Sequence, residues 1–181
     1  MDSLKGKLLI ASPALADPNF ARSVVLIAEH TEDGALGVVL NRPTDASVGE
    51  AVDELRGVVE PGDPVFSGGP VQPDSVMVLA EFDDPEVAAA IVLADVGFLP
   101  ADNGDDDLEA VTRRARVFAG HAGWGPGQLD DELEEGSWIT VEAAVEDVFD
   151  EEPDALWAGS LQRKGGAYAL LARAPIDPSM N

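Results

Sequence analysis

Arg22-Ser23-Val24-Val25-Leu26-Ile27-Ala28, then Glu32-Asp33-Gly34, then Gly37-Val38-Val39-Leu40-Asn41-Arg42-Pro43 is the stretch on which the fold turns. The two β-branched runs read as buried strands. The Asp-Gly pair between them favours a hairpin turn. Pro43 ends the third strand, because proline cannot donate to the ladder. Upstream, Leu8-Leu9-Ile10-Ala11, closed by Ser12-Pro13, supplies a first short strand.

Downstream, Ser47-Val48-Gly49-Glu50 matches a capping box. Val48, Ala51, Val52 and Leu55 follow at helical spacing, and Gly57 closes that helix. Val65-Phe66-Ser67 reads as a strand feeding Gly68-Gly69-Pro70, and Ser75 to Ala80 as another. Periodicity leaves Val87 to Ala94 open between strand and helix. Asp102 to Asp107 forms an acidic loop, and Leu108 to Arg114 one or two helical turns. Arg116 to His121 is expected as a strand entering a glycine-rich turn, Gly120 to Gly127. A helix follows over Gln128 to Glu135, with Pro126 near its first turn and Gly136 just past its end. Ser137 to Val141 alternates as a strand. A last helix, Pro153 to Lys164, carries Leu156, Trp157 and Leu161 on one side and stops at Gly165-Gly166. The tail at 174–181 is expected to be loose. Without sustained βαβ alternation, the order points to a single α+β domain over residues 1–181.

Composition narrows the function. Of 181 residues, 35 are acidic and 11 basic, a formal charge of −24, while 45% are apolar, enough for a buried core. Between Gly57 and Thr112 there are thirteen acids and no Lys or Arg; between Val117 and Gln162 there are twelve and again none. Nucleic-acid binding needs cations to displace counterions, so direct DNA or RNA binding is not expected. A polybasic membrane anchor is excluded on the same ground. The chain lacks cysteine, so disulfides, a thiol nucleophile and Cys-based metal sites are absent. The start of the chain holds too few apolar residues for a signal h-region, and no run is long enough for a membrane span, so the expected location is cytoplasmic.

No motif amounts to a catalytic constellation. Gly123-Trp124-Gly125-Pro126-Gly127-Gln128 could present backbone N–H groups to an anion at a helix start. It lacks a Walker lysine, and Asp130, Asp131 and Glu132 compete for the same positive end. A structural turn that lets Trp124 pack is the simpler reading. Gly68-Gly69-Pro70 permits close backbone approach, yet no basic residue lies within ten positions. His30 and His121 titrate near neutrality as residue types, but no metal-type spacing joins them. Ser23 and Ser67 lie outside the G-x-S-x-G elbow. Asn41-Arg42, with Arg22, makes a small polar site at a strand end, where Arg42 is expected to pair with local acids. No metal, cofactor or catalytic residue is expected. The candidate ligand-binding set is Arg22, His30, Asn41, Arg42, Gly68, Gly69, His121, Trp124, Gly125, Gly127 and Gln128.

Several of these segments together resemble the AlgH/YqgE family. They are Ala11-Ser12-Pro13-Ala14-Leu15, Asp17-Pro18-Asn19-Phe20-Ala21-Arg22-Ser23-Val24-Val25, Glu29-His30, Gly34-Ala35-Leu36-Gly37 and Leu40-Asn41-Arg42-Pro43. Gly68-Gly69-Pro70-Val71, Gly120 to Leu129, Gly136-Ser137-Trp138 and Leu156-Trp157 continue the order, over about residues 7–165. The resemblance implies a bacterial α+β domain with a mixed bifurcated sheet folded into a pseudo-barrel and helices packed outside. It implies no established reaction; the family is often described as transcriptional regulators through a genetic link to alginate production. His121 stands where the family usually carries tyrosine, and the acidic middle is a second departure. The expected function is a non-enzymatic binding or regulatory module, acting indirectly, with an unknown small molecule or a basic protein as partner. The alternative is an enzyme using His30 or His121 with nearby carboxylates.

Overall fold

Leu8, Leu9, Ile10 and Ala11 are all fully buried, which a strand achieves only when both of its faces are covered. A computed structural model describes residues 3–15, 17–48, 59, 62–100 and 108–173 of the chain. In it β1 (Lys7–Ala11) pairs antiparallel with β2 (Val24–Thr31), and β2 with β3 (Gly34–Val39). The hairpin expected around Asp33-Gly34 is present, with Thr31 opposite Gly34. Successive residues point to opposite faces. Leu8, Ile10, Val24, Leu26 and Val38 therefore enter one apolar cluster, while Leu9, Ala11, Val25, Ile27 and Val39 enter another.

After β4 (Pro43–Ser47), β5 (Pro64–Ser67), β6 (Val71–Phe82), β7 (Ala90–Leu93) and β8 (Val96–Phe98), the long strand β9 (Thr112–Trp124) ties the sheet together. β10 (Trp138–Glu142) completes it beside β1. The order is β10-β1-β2-β3-β9-β6-β8-β7, with β5 joining β9 and β4 joining β5. Among the described residues, all ladders are antiparallel except β5 with β9. The sheet branches at β9. Phe118 and Ala119 pair with both β5 and β6, and residues 122–124 pair with β3. The β7 end curls back, so Val92 and Val96 share a cluster with Leu8 and Leu26, but among the described residues no ladder joins β7 to β10 and the sheet is not closed.

The helices are short. α1 (Leu108–Val111) leads into β9, and α2 (Gln128–Glu134) buries Leu129 in the second cluster. α3 (Val145–Val148) is followed by α4 (Leu156–Lys164) and α5 (Ala167–Leu171). α4 packs Leu156, Trp157 and Leu161 into the first cluster from one side, as its spacing requires. No helix among the described residues is long and apolar enough to cross a membrane.

Two expectations are corrected and one open alternative is resolved. Pro43 opens β4 rather than only ending a strand, and Ser47 is the last residue of β4, its expected cap partners at 49–50 lying outside the described residues. Ala90–Leu93 is a strand within the ambiguous apolar run. The segment Gly120–Trp124 continues β9, so the turn begins only at Gly125. The helix expected at 48–57 falls outside the described residues for nearly all its length; the acidic loop at 102–107 and the tail at 174–181 fall wholly outside.

Candidate functional site

Asn41 and Arg42, just past β3, hold the loop that precedes β2. Asn41 donates from Nδ2 to Arg22 O at 2.9 Å and accepts Val24 N–H at Oδ1, 3.0 Å. Arg42 donates from Nη1 to Pro18 O at 3.2 Å and to Asn19 O, and from Nη2 to Ala21 O at 2.8 Å. Burial lowers the Arg42 pKa from its ordinary value, and the nearby Asp17 carboxylate works the other way. Guanidinium remains charged in proteins regardless. Lys7, Arg113, Arg114 and Arg163 all have carboxylate partners within ion-pair distance. Arg42 has none among the described residues. Its hydrogen bonds go to three backbone carbonyls of the loop that wraps around it, while the local acid Asp17 acts on it through charge alone.

Glycines bring a second wall to the same place. Gly68 donates to Ala119 O at 2.8 Å and accepts Val39 N–H at 2.9 Å, so it sits in the fork between β3 and β9. A Cβ on Gly69 would stand 2.2 Å from His121 C, and one on Gly120 would stand 2.4 Å from Gly69 O. Only glycine allows backbones to cross that closely, and both positions also take positive φ. The crossing carries Gly69-Pro70 over to Arg42. A cleft of about 180 Å³ results, lined by Asn19, Arg42, Ser67, Gly69, Pro70 and Pro73, with Val39 behind them.

Of three non-glycine residues with positive φ among the described residues, two lie beside this cleft and the third, Ala94, between β7 and β8. Gln72, between the two lining prolines, has φ of 48°, and Arg22, whose carbonyl Asn41 holds, has φ of 57°. β6 bulges here, passing from Val71 to Val76 while β9 moves only from His121 to Ala119. Left-handed non-glycine residues persist only where their surroundings enforce them, and they concentrate at functional sites. The Arg22 guanidinium itself lies 4.2 Å over the Trp157 ring.

The remaining candidates lie elsewhere. His30 is buried on β2, where Nδ1 accepts Leu4 N–H at 3.0 Å and Nε2 lies 3.8 Å from Asp130 Oδ1. His121 pairs with Val71 and stands next to Ala122, which packs with Trp124 in the second cluster. Strand alternation turns His121 to the opposite side from those two. His30 lies on the Trp124 side, across from Ala35, so the imidazoles occupy different faces. Among the described residues, no group of three or more metal-type side chains converges.

Trp124, Gly125, Gly127 and Gln128 build a packed corner. Gly125 N–H donates to Gln128 Oε1 at 3.0 Å, and Gly127 precedes α2 with φ of 74°. Glu132 accepts from Trp124 Nε1 at 3.2 Å, Trp138 Nε1 at 2.9 Å and Gln128 Nε2 at 2.9 Å. Trp124, Trp138 and Phe20 stack and edge against one another with centroids 5.6–6.4 Å apart. The acid that competes for the helix start in sequence thus serves two indoles in space.

A larger groove of about 430 Å³ runs along β10 beside Lys7, Arg163 and Lys164. Its cations are committed. Lys7 meets Glu142, Arg163 meets Asp147 and Glu142 O, and Lys164 donates to Thr140 O at 2.6 Å. They cover the outer carbonyls of an edge strand, a common guard against further strand pairing. The smaller cleft therefore has the better claim to a ligand.

Asn19, Ser67, Pro70 and Pro73 of that cleft are not in the candidate ligand-binding set, although Ser67 is weighed from sequence as a nucleophile and set aside. Asn19 and Pro70 lie inside recognised motifs, which was the one signal available.

Comparison with known proteins gives a consistent result. The AlgH-like family pattern matches residues 8–169. A UPF0301 protein of Streptomyces coelicolor is 44% identical, with 100% of this chain and 97% of that protein covered. A UPF0301 protein of Chlorobaculum tepidum is 40% identical, covering 97% and 95%. The crystal structure of a Corynebacterium diphtheriae protein superposes with a TM-score of 0.82 at 29% identity, covering 95% of this chain and 93% of that one. The solution structure of the AlgH protein from Pseudomonas aeruginosa superposes at 0.70 with 30% identity and 97% coverage of both.

Proposed function

This chain belongs to the AlgH-like family, and from that premise we propose that it is a cytoplasmic, non-enzymatic binding module of regulatory type, whose small ligand enters the cleft beside Arg42. One observation carries the reading: a half-buried guanidinium with no carboxylate within ion-pair distance among the described residues, lining a concave site in a protein of net charge −24. Ligand sites are concave and carry a few convergent polar groups, which fits Asn19, Arg42 and Ser67 against a proline wall. The acidic surface disfavours phosphate backbones, so regulation would pass through the ligand or a protein partner, not through direct DNA contact. In this reading the curled sheet corresponds to a pseudo-barrel with α2 and α4 on its outside.

A small-molecule thermal-shift screen on the wild type and on Asn19→Leu tests the proposal. A ligand at a hundred times its Kd stabilises the native state by about 2.7 kcal/mol, which is about 5–11 °C in Tm for a domain of this size. Hits that disappear in Asn19→Leu support the reading. Hits indifferent to that substitution contradict it, as does turnover of a generic phosphatase or esterase substrate that is lost on His121→Ala.

A further inference from the structure

We infer that the ligand recognised at this cleft is a small oxyanion, a carboxylate or phosphate group, gripped by Arg42 and bounded by Ser67, Gly69 and Asn19. The inference rests on the binding-module reading and specifies its chemistry. Guanidinium offers five N–H donors. The described residues take three of them, through Pro18 O, Asn19 O and Ala21 O. Nε–H and one Nη2 hydrogen are left on a side chain that lines the cleft. Two donors on adjacent nitrogens match the two oxygens of a carboxylate or phosphate. Ser67 adds a hydroxyl, and Gly69, without a side chain, lets a ligand come close to the backbone.

Size and charge limit the choice further. At about 180 Å³ and open to solvent, the cleft suits a small group or the charged end of a larger ligand. A cation would face the Arg42 charge directly. A neutral amide could accept one hydrogen bond but would lose the charge assistance, which about doubles the strength. The Asp17 carboxylate, which acts on Arg42 through charge, already accepts Asn19 N–H at Oδ1, 2.8 Å. It weakens the site's field without occupying the free donors. The loop clamp also fixes the guanidinium before any ligand arrives, so little side-chain entropy remains to be lost on binding.

The test is a ¹⁵N NMR titration of the full chain with acetate, inorganic phosphate and acetamide, following Ser67 N–H, Gly69 N–H and Arg42 Nε–H. Saturable shifts at these groups with acetate, phosphate or both are expected, with acetamide weaker by at least about tenfold. A response to acetate alone assigns a carboxylate ligand, and to phosphate alone a phosphate ligand. Arg42→Gln should remove the response. Because Arg42 also holds the 18–21 loop, Asn19→Leu is the second variant. It leaves the guanidinium, narrows the cleft with an apolar side chain and should remove the response with the Trp124 and Trp138 signals unchanged. Acetamide binding as well as acetate would overturn the inference while leaving the binding module standing. Unmoved cleft groups with either anion, or an unaltered response in Asn19→Leu, would also overturn it, and the thermal-shift screen then decides the broader reading separately.

Discussion

Replacing Glu132 with alanine should destabilise the protein by about 2–4 kcal/mol. Trp124 and Trp138 are only 7% and 4% exposed, and both indole N–H groups point at the one carboxylate oxygen. Hydrogen bonds to a charged group contribute about 1.5–3 kcal/mol each, and an unsatisfied buried donor costs about 1–3 kcal/mol. The Trp124 bond is the longer, at 3.2 Å against 2.9 Å, and falls at the low end. Gln128 is exposed, so water replaces its lost acceptor at little cost. For a chain of this length the total corresponds to a fall of about 4–16 °C in Tm. Urea unfolding followed by tryptophan emission reads the change, and near-UV circular dichroism reports the ring cluster. Glu132→Gln, which keeps a neutral acceptor, should recover about half the loss. A Glu132→Ala protein within about 0.5 kcal/mol of wild type, with its near-UV spectrum intact, would refute the packed-corner account. The segment Trp124–Gln128 would then return as a candidate ligand loop.

Gly69→Ala should abolish folding or leave an expanded chain by gel filtration, because the new methyl meets three backbone atoms of His121 and Ala122 within 2.5 Å; a well-folded variant would contradict the crossing. His30→Phe should speed hydrogen exchange at Leu4, whose amide loses its acceptor, with core amides of β2 and β3 unaffected. Exchange at Leu4 unchanged from wild type would count against that latch. The Arg114 guanidinium holds the Glu146 carboxyl below its usual value. Its contribution is therefore present above the ordinary carboxylate range, about pH 4.3, and is lost as pH falls through the lowered value. Glu146→Gln should accordingly melt slightly below wild type at neutral pH and level with it in strong acid. A gap that persists in acid would show that the pair does not act through charge.

The central hairpin, β1, β10, α2 and α4 were legible because each rests on local signals: an apolar run, a turn pair, a proline or glycine at an end. The length of β9 was hidden because Gly120 marks a turn in ordinary sequence statistics, whereas here its positive φ lets Gly69 pass over an unbroken strand. β4 and β8 were hidden because short, weakly patterned segments take their pairing from neighbours and not from their own residues. At the site, Asn41, Arg42, Gly68 and Gly69 could be named from sequence. Their meeting could not, since Arg42 lies 27 residues from Gly69 along the chain and a cross-strand fork joins them. Trp124 and Gln128 drew attention by their glycines, yet the role visible in space belongs to the carboxylate that follows.

The most direct measurement is a crystal structure of the chain grown with a saturating small carboxylate or phosphate. The account predicts an oxyanion between Arg42 and Ser67, with ligand oxygens about 2.7–3.2 Å from Arg42 Nε and Nη2. An anion ordered only at other positions, with water alone beside Arg42, would contradict it.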